Sequence, residues 1–209
     1  MSHSPSDFDK NAGNWSLDAS QYVSAPTSLK VTRRSPNAIQ LLILHDSISG
    51  VMEQGRIASW CRTPYLGTTR LLCFVFRNMS PDGTAVTYPF YAVCFSQTAA
   101  YWRKYTAENT YTLLGTFPRS GQYWIMANEW RCLRLSWWNG YDTSNNPATV
   151  CRLETNVASV WYTWGDLYDT AQLNKGEAVQ RCGVGYQGAE TGVYCWFDDT
   201  EFWKAPDEE

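Results

Sequence analysis

Histidine is nearly absent from this 209-residue sequence, which contains only His3 and His45. The seven cysteines include no C-x-x-C pair, and neither histidine lies close to one of them along the chain. Zinc sites are usually built from such closely spaced Cys and His residues. The sequence therefore argues against a zinc site, and His45, which follows an apolar run, is expected to end a strand rather than to act as a base.

Long apolar runs and basic stretches are also missing. No run reaches the roughly 18 apolar residues of a membrane-spanning helix, and the first residues lack the basic and apolar regions of a secretory signal. We therefore expect no membrane span, and synthesis in the cytoplasm without Sec export. The 17 basic residues are scattered among 20 acidic ones, for a net charge of -3. No continuous basic stretch is available for a nucleic acid backbone, so nucleic acid is not expected as a partner.

Helical periodicity is scarce, and one short segment, 165–172, is predicted to form a single turn. Short strand-like runs bounded by turn residues recur along the whole chain instead. They are predicted at residues 28–32, 39–45, 56–62, 70–77, 90–96, 101–105, 111–117, 130–138, 149–154, 160–164, 179–186 and 193–203. Asn139-Gly140 is the strongest hairpin signal, because both residues tolerate positive φ.

This pattern predicts an all-β chain. Short runs separated by turn signals at regular spacing are typical of a sandwich or barrel. A chain of 209 residues can form one such domain. We predict a single domain over 1–209, with a flexible N-terminus at 1–6 and an acidic tail at 205–209.

The cysteines lie mostly inside apolar runs, where they can act as small buried hydrophobic residues. An alternative is that three pairs flank turn regions as facing positions on neighbouring strands would. These pairs are Cys73 with Cys94, Cys132 with Cys151, and Cys182 with Cys195, which leaves Cys61 over. An intracellular chain would keep these thiols reduced, so both interpretations stay open.

Three segments carry a resemblance to a known superfamily. They are Asp7-Phe8-Asp9 with Trp15 and the run 24–31 (SAPTSLKV), the run 129–135 (EWRCLRL), and the final pair 183–186 (GVGY) and 197–202 (FDDTEF). In order and spacing they resemble the concanavalin A-like lectin/glucanase superfamily, including laminin G-like and other carbohydrate-binding jelly rolls. The resemblance implies a two-sheet antiparallel jelly-roll β-sandwich of the concanavalin A-like type.

The resemblance also implies a structural calcium ion that joins the opening strand to the closing one. Asp9 near the start, and Asp198 with Asp199 near the end, match the positions of its ligands. Calcium prefers six to eight oxygen ligands, carboxylates included. The alternative is that Asp198 and Asp199 cap a strand and pair with an arginine.

Catalytic motifs of the superfamily are not found. Its glucanases share E-x-D-x-x-E on one strand, since glycosidic cleavage needs paired carboxylates. The nearest match here, Asp199-Thr200-Glu201, lies where the superfamily has a structural strand. Lyases of this fold resemble one another in a His/Tyr/Arg cluster, and this chain has few histidines. We therefore expect that the chain is not an enzyme.

Aromatic residues are unusually frequent, with 11 Trp and 13 Tyr. Sugars stack their C–H faces on such rings while polar neighbours bind the hydroxyls. We predict carbohydrate-binding residues where rings and polar groups are mixed: Tyr101, Trp102, Arg103, Tyr105, Trp124, Trp138, Asn139, Tyr141 and Trp164. For the tryptophans among them, core packing or a protein interface is an equal alternative, and Trp130 and Trp161 are assigned to the core.

These features favour a lectin-like module that is not enzymatic and acts in adhesion or assembly, such as a virion decoration, tail or surface structural protein. Its expected partners are a glycan or neighbouring protein subunits, in a homo-oligomer or a virion assembly, and its expected location is a virion or an extracellular surface. The alternatives are a stand-alone carbohydrate-binding module and a glycoside hydrolase or polysaccharide lyase of the same fold.

Overall fold

A computed structural model describes residues 8–10, 14–24, 27–32, 39–64, 71–84, 87–96, 98–118, 127–187 and 193–205. Strands account for most of these residues. They are β1 (Phe8–Lys10), β2 (Asn14–Asp18), β3 (Ser28–Thr32), β4 (Ile39–Leu44), β5 (Gly55–Arg62), β6 (Leu71–Asn78), β7 (Phe90–Phe95), β8 (Ala99–Ala107), β9 (Thr110–Pro118), β10 (Arg131–Tyr141), β11 (Pro147–Val157), β12 (Val160–Asp169), β13 (Arg181–Gln187) and β14 (Tyr194–Lys204).

The strands form two antiparallel sheets of seven strands each. Sheet one has the order β1-β4-β13-β6-β7-β8-β9, and sheet two has the order β12-β11-β10-β5-β14-β3-β2. Strands distant in the sequence are neighbours in both sheets, for example β5 with β14. The predicted two-sheet antiparallel jelly-roll β-sandwich is confirmed.

The core lies between the two sheets and follows from the alternation of side chains along the strands. In β10, Leu133, Leu135 and Trp137 are buried in it. The Trp137 ring of sheet two stacks on Phe76 of sheet one, with 5.0 Å between ring centroids. Burial of apolar side chains such as these is the main force that holds two sheets face to face.

A second apolar cluster lies on the opposite face of sheet one. Its members are Ile39, Leu41, Ile43, Leu71, Cys73, Val75, Phe90, Ala92, Cys94 and Tyr105, and all are at most 2% exposed. Strands β6 and β7 are therefore buried on both faces, which explains why their sequences read as continuous apolar runs rather than as an alternation.

Residues at one end of the sandwich form a buried polar network that links the two sheets. Arg77, which is fully buried, donates to Asn139 Oδ1, to Thr149 Oγ1 and to the Leu173 carbonyl. Asn139 in turn donates to Glu53 Oε1 at 2.8 Å. A buried guanidinium is tolerated because its donors are satisfied in this way.

The hairpin turn predicted at Asn139-Gly140 is wrong. Both residues lie inside β10, and the turn comes later, where the Asp142 N–H donates to the Asn146 carbonyl at 2.8 Å. A Cβ on Gly140 would lie 2.9 Å from Val150 Cγ2. The glycine is needed for close packing at this position, so its presence does not signal a turn.

All twelve predicted strand runs correspond to strands, and two strands, β1 and β2, were missed. The helical turn predicted at 165–172 is wrong, because residues up to Asp169 continue β12 as the partner of β11. The one helix among the described residues is instead α1 (Asp46–Ser49). No helix in the described part of the chain has the length or apolarity needed to cross a membrane.

All seven cysteines are free. Cys73 and Cys94 are register partners on β6 and β7, and their sulfurs are 3.0 Å apart. The other two proposed pairs are not brought together: Cys132 pairs with Asn156 and Cys151 with Trp137, while Cys182 and Cys195 belong to different sheets. Only the first of the three pairs therefore has the geometry for a disulfide.

We expect an added diazene oxidant such as diamide to convert Cys73 and Cys94 to one disulfide, with both thiol hydrogens transferred to the diazene. The native reaction should be slow, since both cysteines are fully buried and the oxidant cannot reach either sulfur from solvent. Peptide mapping by mass spectrometry checks the linkage, with Cys132 and Cys151 as the internal control. A Cys132–Cys151 crosslink formed in the native state would contradict the strand register.

Candidate functional site

A groove of about 640 Å³ lies on the outer face of sheet two, within the roughly 300–1,000 Å³ range typical of ligand sites. Four strands, β5, β10, β11 and β14, and the residue after β14 contribute to it. We call it the Arg–Trp groove. It is lined by Gly55, Arg56, Arg134, Ser136, Trp137, Trp138, Arg152, Glu154, Trp203, Lys204 and Ala205.

Strand register places six of these side chains and one neighbour in ordered positions. Arg56 and Arg152 are both cross-strand partners of Ser136, one on each side of β10. These three residues form a row across the strands. On one side, Trp203 of β14 is the partner of Arg56, and on the other, Asp166 of β12 is the partner of Arg152. Because alternate residues share a face, Arg134 and Trp138 stand beside Ser136 on β10. The groove is therefore built on paired strands, which hold side chains more firmly than loops do.

Two bidentate ion pairs fix the arginines of the groove. Arg134 binds Glu154 with N–O distances of 2.6 and 2.7 Å, and Arg152 binds Asp166 with two contacts of 2.7 Å. Such fork-to-fork contacts add directional precision as well as energy. The hydrogen bonds to Asp166 also raise the pKa of Arg152 above its ordinary value, so this guanidinium is charged at every physiological pH.

Each paired arginine also lies over an indole ring. The Arg134 guanidinium carbon is 3.9 Å from the centroid of Trp161, and that of Arg152 is 5.3 Å from the centroid of Trp138. Cation–π contacts of this kind hold the rings in place. Trp161 was predicted to be a core residue, but it lies half-buried on this outer face because Arg134 covers it.

The groove therefore combines flat apolar rings with fixed polar groups. Trp138 is half-buried and Trp203 is 41% exposed. The Ser136 hydroxyl, the arginines and Glu154 supply hydrogen-bonding groups between them. Glu154 is the one carboxylate among the described lining residues, and Arg134 holds it. The arrangement suits recognition of a polar ligand with apolar faces.

The predicted carbohydrate-binding residues do not form one site. Of the nine, Trp138 lies in the Arg–Trp groove and Asn139 follows it on β10. The stretch Tyr101, Arg103 and Tyr105 lies on the outer face of sheet one, on the far side of the sandwich. Alternation along each strand was read correctly, but which sheet each strand joins was not available from the sequence.

The sheet-one residues form a compact group that we call the Arg103 cluster: Tyr101, Arg103, Tyr105, Tyr111 and Gln187. Arg103 and the Tyr105 hydroxyl both donate to Gln187 Oε1 at 3.0 Å. The Arg103 guanidinium also lies 4.2 Å from the centroid of Tyr111. Burial raises the pKa of Tyr105 far above its ordinary value, so it remains a neutral phenol that donates a hydrogen bond.

Several predicted site residues serve the structure instead. Trp102 is fully buried in the core against Phe76 and Tyr91, so it cannot contact a ligand from solvent. Asn139 is engaged in the network around Arg77. Trp164 donates its Nε1 to Thr155 at 2.6 Å and packs on the core. Trp124 lies outside the described residues.

Tyr141 is 62% exposed at the end of β10, outside the lining of the groove. The sequence analysis missed most groove residues, namely Arg56, Arg134, Ser136, Arg152, Glu154, Trp203 and Lys204. The sequence does contain a signal for this outward face. Residues 134, 136 and 138 on β10, and residues 152 and 154 on β11, are polar or aromatic and alternate with core residues.

The acidic residues predicted to bind calcium are located on different sheets. Asp9 is in β1 of sheet one, with its side chain outside the description, and Asp198 and Asp199 are in β14 of sheet two. Asp198 Oδ2 accepts the Val23 and Ser24 N–H groups at 2.6 and 3.0 Å. In the described part of the chain, no three His, Cys, Asp or Glu residues are grouped as metal ligands.

Asp198 and Asp199 therefore join the opening segment to the closing strand by hydrogen bonds. Both carboxylates bind segment 23–24, since Ser24 Oγ donates to each of them. Calcium requires more oxygen ligands than these two carboxylates supply, so further ligands would be needed to complete a site. Calcium binding stays a prediction, and the alternative arginine partner is not found among the described ion pairs.

The two sheets, their strand order and the inward aromatic packing define a jelly-roll fold of the concanavalin A-like type. No protein-family model and no curated protein matches the sequence. Among solved structures, the marine PL-14 alginate lyase from Aplysia kurodai matches with a TM-score of 0.60 and 9% identity, over 91% of this chain and 87% of the lyase. The endo-β-1,4-glucuronan lyase of Trichoderma reesei matches with a TM-score of 0.54 and 13% identity, over 95% and 90%.

A third structure, a protein of unknown function from Shewanella oneidensis MR-1, matches with a TM-score of 0.54 and 14% identity, over 100% of this chain and 86% of that one. At these low sequence identities the likeness shows a shared fold alone. It corrects the prediction that the chain is not an enzyme. Two of the three structures described above are polysaccharide lyases, so the fold and the missing glucanase motif do not exclude catalysis.

We expect Asp198→Asn to lower the free energy of unfolding by about 1–3 kcal/mol, because two backbone N–H groups lose a charged acceptor. Urea denaturation measures the change. Glu201→Gln, an exposed position on the same strand, is the matched control and should stay within about 0.5 kcal/mol. An equal loss in both variants would contradict the assigned role. A stabilisation of the parent by calcium that Asp198→Asn abolishes would support the predicted ion.

Proposed function

We propose that this chain binds a glycan and that the Arg–Trp groove is its binding site. The observation that carries the proposal is the placement of two accessible indoles, Trp138 and Trp203, beside the Ser136 hydroxyl and fixed arginines. Indole rings stack on the apolar face of a sugar, and the hydroxyls at the sugar's edge need donors and acceptors nearby. The groove offers both within one row of strands.

Preorganisation supports this function. Arg134 and Arg152 are held by carboxylates and by ring contacts before any ligand arrives. Ligand binding then costs less side-chain entropy than it would with mobile arginines. Gly55 adds to the shape of the groove, because a Cβ there would lie 2.7 Å from the Trp203 carbonyl oxygen and would push β14 away.

Adhesion or assembly at a virion or extracellular surface is the wider role that we propose for this binding. One observation favours neighbouring subunits as additional partners. Strand β9 is an edge of sheet one and exposes two large apolar side chains, Tyr111 at 42% and Leu113 at 52%. Edge strands with exposed apolar residues pair readily with another chain.

The glycan site is tested by affinity electrophoresis and calorimetry with a panel of polysaccharides. We expect Trp203→Ala and Trp138→Ala to weaken binding by about tenfold or more, since each removes a stacking ring worth roughly 1–2 kcal/mol. Tyr141→Ala, which removes an exposed ring outside the groove on β10, is the control. Thermal unfolding of each variant shows whether the fold is kept. Retained binding in folded Trp203→Ala and Trp138→Ala proteins would contradict the assignment.

Assembly is tested by light scattering after size-exclusion chromatography. We expect the purified chain to associate in a concentration-dependent way through β9, and Leu113→Lys to reduce association because a charge on an edge strand opposes pairing. Tyr141→Lys, at a ring of 62% exposure on the interior strand β10 of sheet two, is the control. A protein that stays monomeric at all concentrations would contradict an assembly role through this edge.

A further inference from the structure

We infer that the glycan bound in the Arg–Trp groove is anionic, carrying carboxylate or sulfate groups at more than one position. This inference rests on the proposed glycan site and names the chemical class of its ligand. It follows from the charges that line the groove, from the hydrogen bonds that engage them and from their spacing across the strands.

The groove carries positive charge in a chain that is negative overall. Its lining contains four cations, Arg56, Arg134, Arg152 and Lys204, and one carboxylate, Glu154. Adding Asp166, which binds Arg152 from the neighbouring strand, still leaves four cations against two carboxylates. The whole chain has a net charge of -3. The sign of the local charge is therefore opposite to that of the molecule, which favours an anionic ligand at this place.

The carboxylates are already engaged, whereas Arg56 is not bound to one. Glu154 and Asp166 are held bidentately by Arg134 and Arg152. Arg56 is exposed, and its one hydrogen bond to a described residue is donated by Nε to Ser136 Oγ at 3.1 Å. A guanidinium has five N–H donors in a planar fork that fits a carboxylate or sulfate. Most of the Arg56 fork is thus directed to solvent in the groove.

The spacing of the cations fits a polymer that carries repeated charges. Arg56 and Arg152 lie on the two strands that flank Ser136, and so they are two strand spacings, or about 10 Å, apart along the row. Arg152 keeps 42% of its side chain exposed despite its ion pair. A chain crossing the strands would meet Trp203, Arg56, Ser136 and Arg152 in succession.

A glycan fits this row better than a nucleic acid. Phosphate backbones carry a charge at every nucleotide and are usually bound along extended basic tracks. Here two of the four groove cations, Arg134 and Arg152, are already paired with acids, and the sequence has no basic stretch to extend the row. The hydroxyl of Ser136 and the carboxylate of Glu154 suit sugar hydroxyl groups, which accept and donate hydrogen bonds.

The inference is tested with four ligands under identical salt conditions: a polyuronate, dextran sulfate, neutral dextran and single-stranded DNA. We expect binding to both anionic glycans, weaker binding to dextran, and a fall in affinity with rising ionic strength. Arg56→Gln should weaken binding of the anionic glycans by about tenfold, the effect of losing one charge-assisted hydrogen bond. Lys104→Gln makes the same change of net charge on sheet one and should have little effect.

The outcomes separate this inference from the glycan site itself. Equal binding of dextran and polyuronate that depends on Trp203 and ignores Arg56→Gln would overturn the anionic class and leave the glycan site standing. No binding of any polysaccharide would overturn both. DNA binding as tight as polyuronate binding, with the same loss in Arg56→Gln, would overturn the glycan class. A preference between polyuronate and dextran sulfate would identify which anionic group the arginines bind.

Discussion

The stacking of Trp137 on Phe76 across the interior is the contact on which the arrangement of the outer surface depends. Once Trp137 points inward, the two-residue period of a strand directs Arg134, Ser136 and Trp138 outward. The same rule on β11 directs Cys151 and Leu153 into the core and places Arg152 and Glu154 on the outer face. A slip of one residue would bury Arg134 if it occurred in β10 or Arg152 if it occurred in β11, and in either case it would expose core residues. Packing of the interior therefore fixes the composition of the groove.

The polar network around Arg77 adds a second constraint. It connects β6 of sheet one with β10 and β11 of sheet two and so resists sliding of one sheet over the other. The Tyr91 hydroxyl, also from sheet one, donates to Asp169 at the end of β12. Buried hydrogen bonds of this kind are satisfied in one relative position of the sheets only. Rigid sheets in turn keep the groove arginines and indoles in place.

The sequence was sufficient to predict the fold class but not the site. Local alternation and turn chemistry located the strands, and the resemblance supplied their stacking. The hairpin prediction at Asn139-Gly140 was wrong because Asn139 accepts a hydrogen bond from Arg77, a residue 62 positions away that no local pattern connects to it. The prediction that Trp102 binds a ligand was wrong because it faces the core. Both faces of β8 carry aromatic rings, so alternation alone does not tell which face is inward. Arg56 and Trp203 are neighbours only through the β5–β14 register, which no local pattern reveals.

Net charge gave no indication of the basic groove for a related reason. A chain with an excess of acids would ordinarily repel a polyanion, and the scattered basic residues gave no patch in the sequence. Pairing of β5, β10 and β11 brings three arginines from distant parts of the chain to one face. At physiological ionic strength, charges farther away than roughly 8 Å are largely screened. A bound anion would therefore respond to the groove cations more strongly than to acids elsewhere on the protein, and specificity would follow from strand pairing rather than from composition.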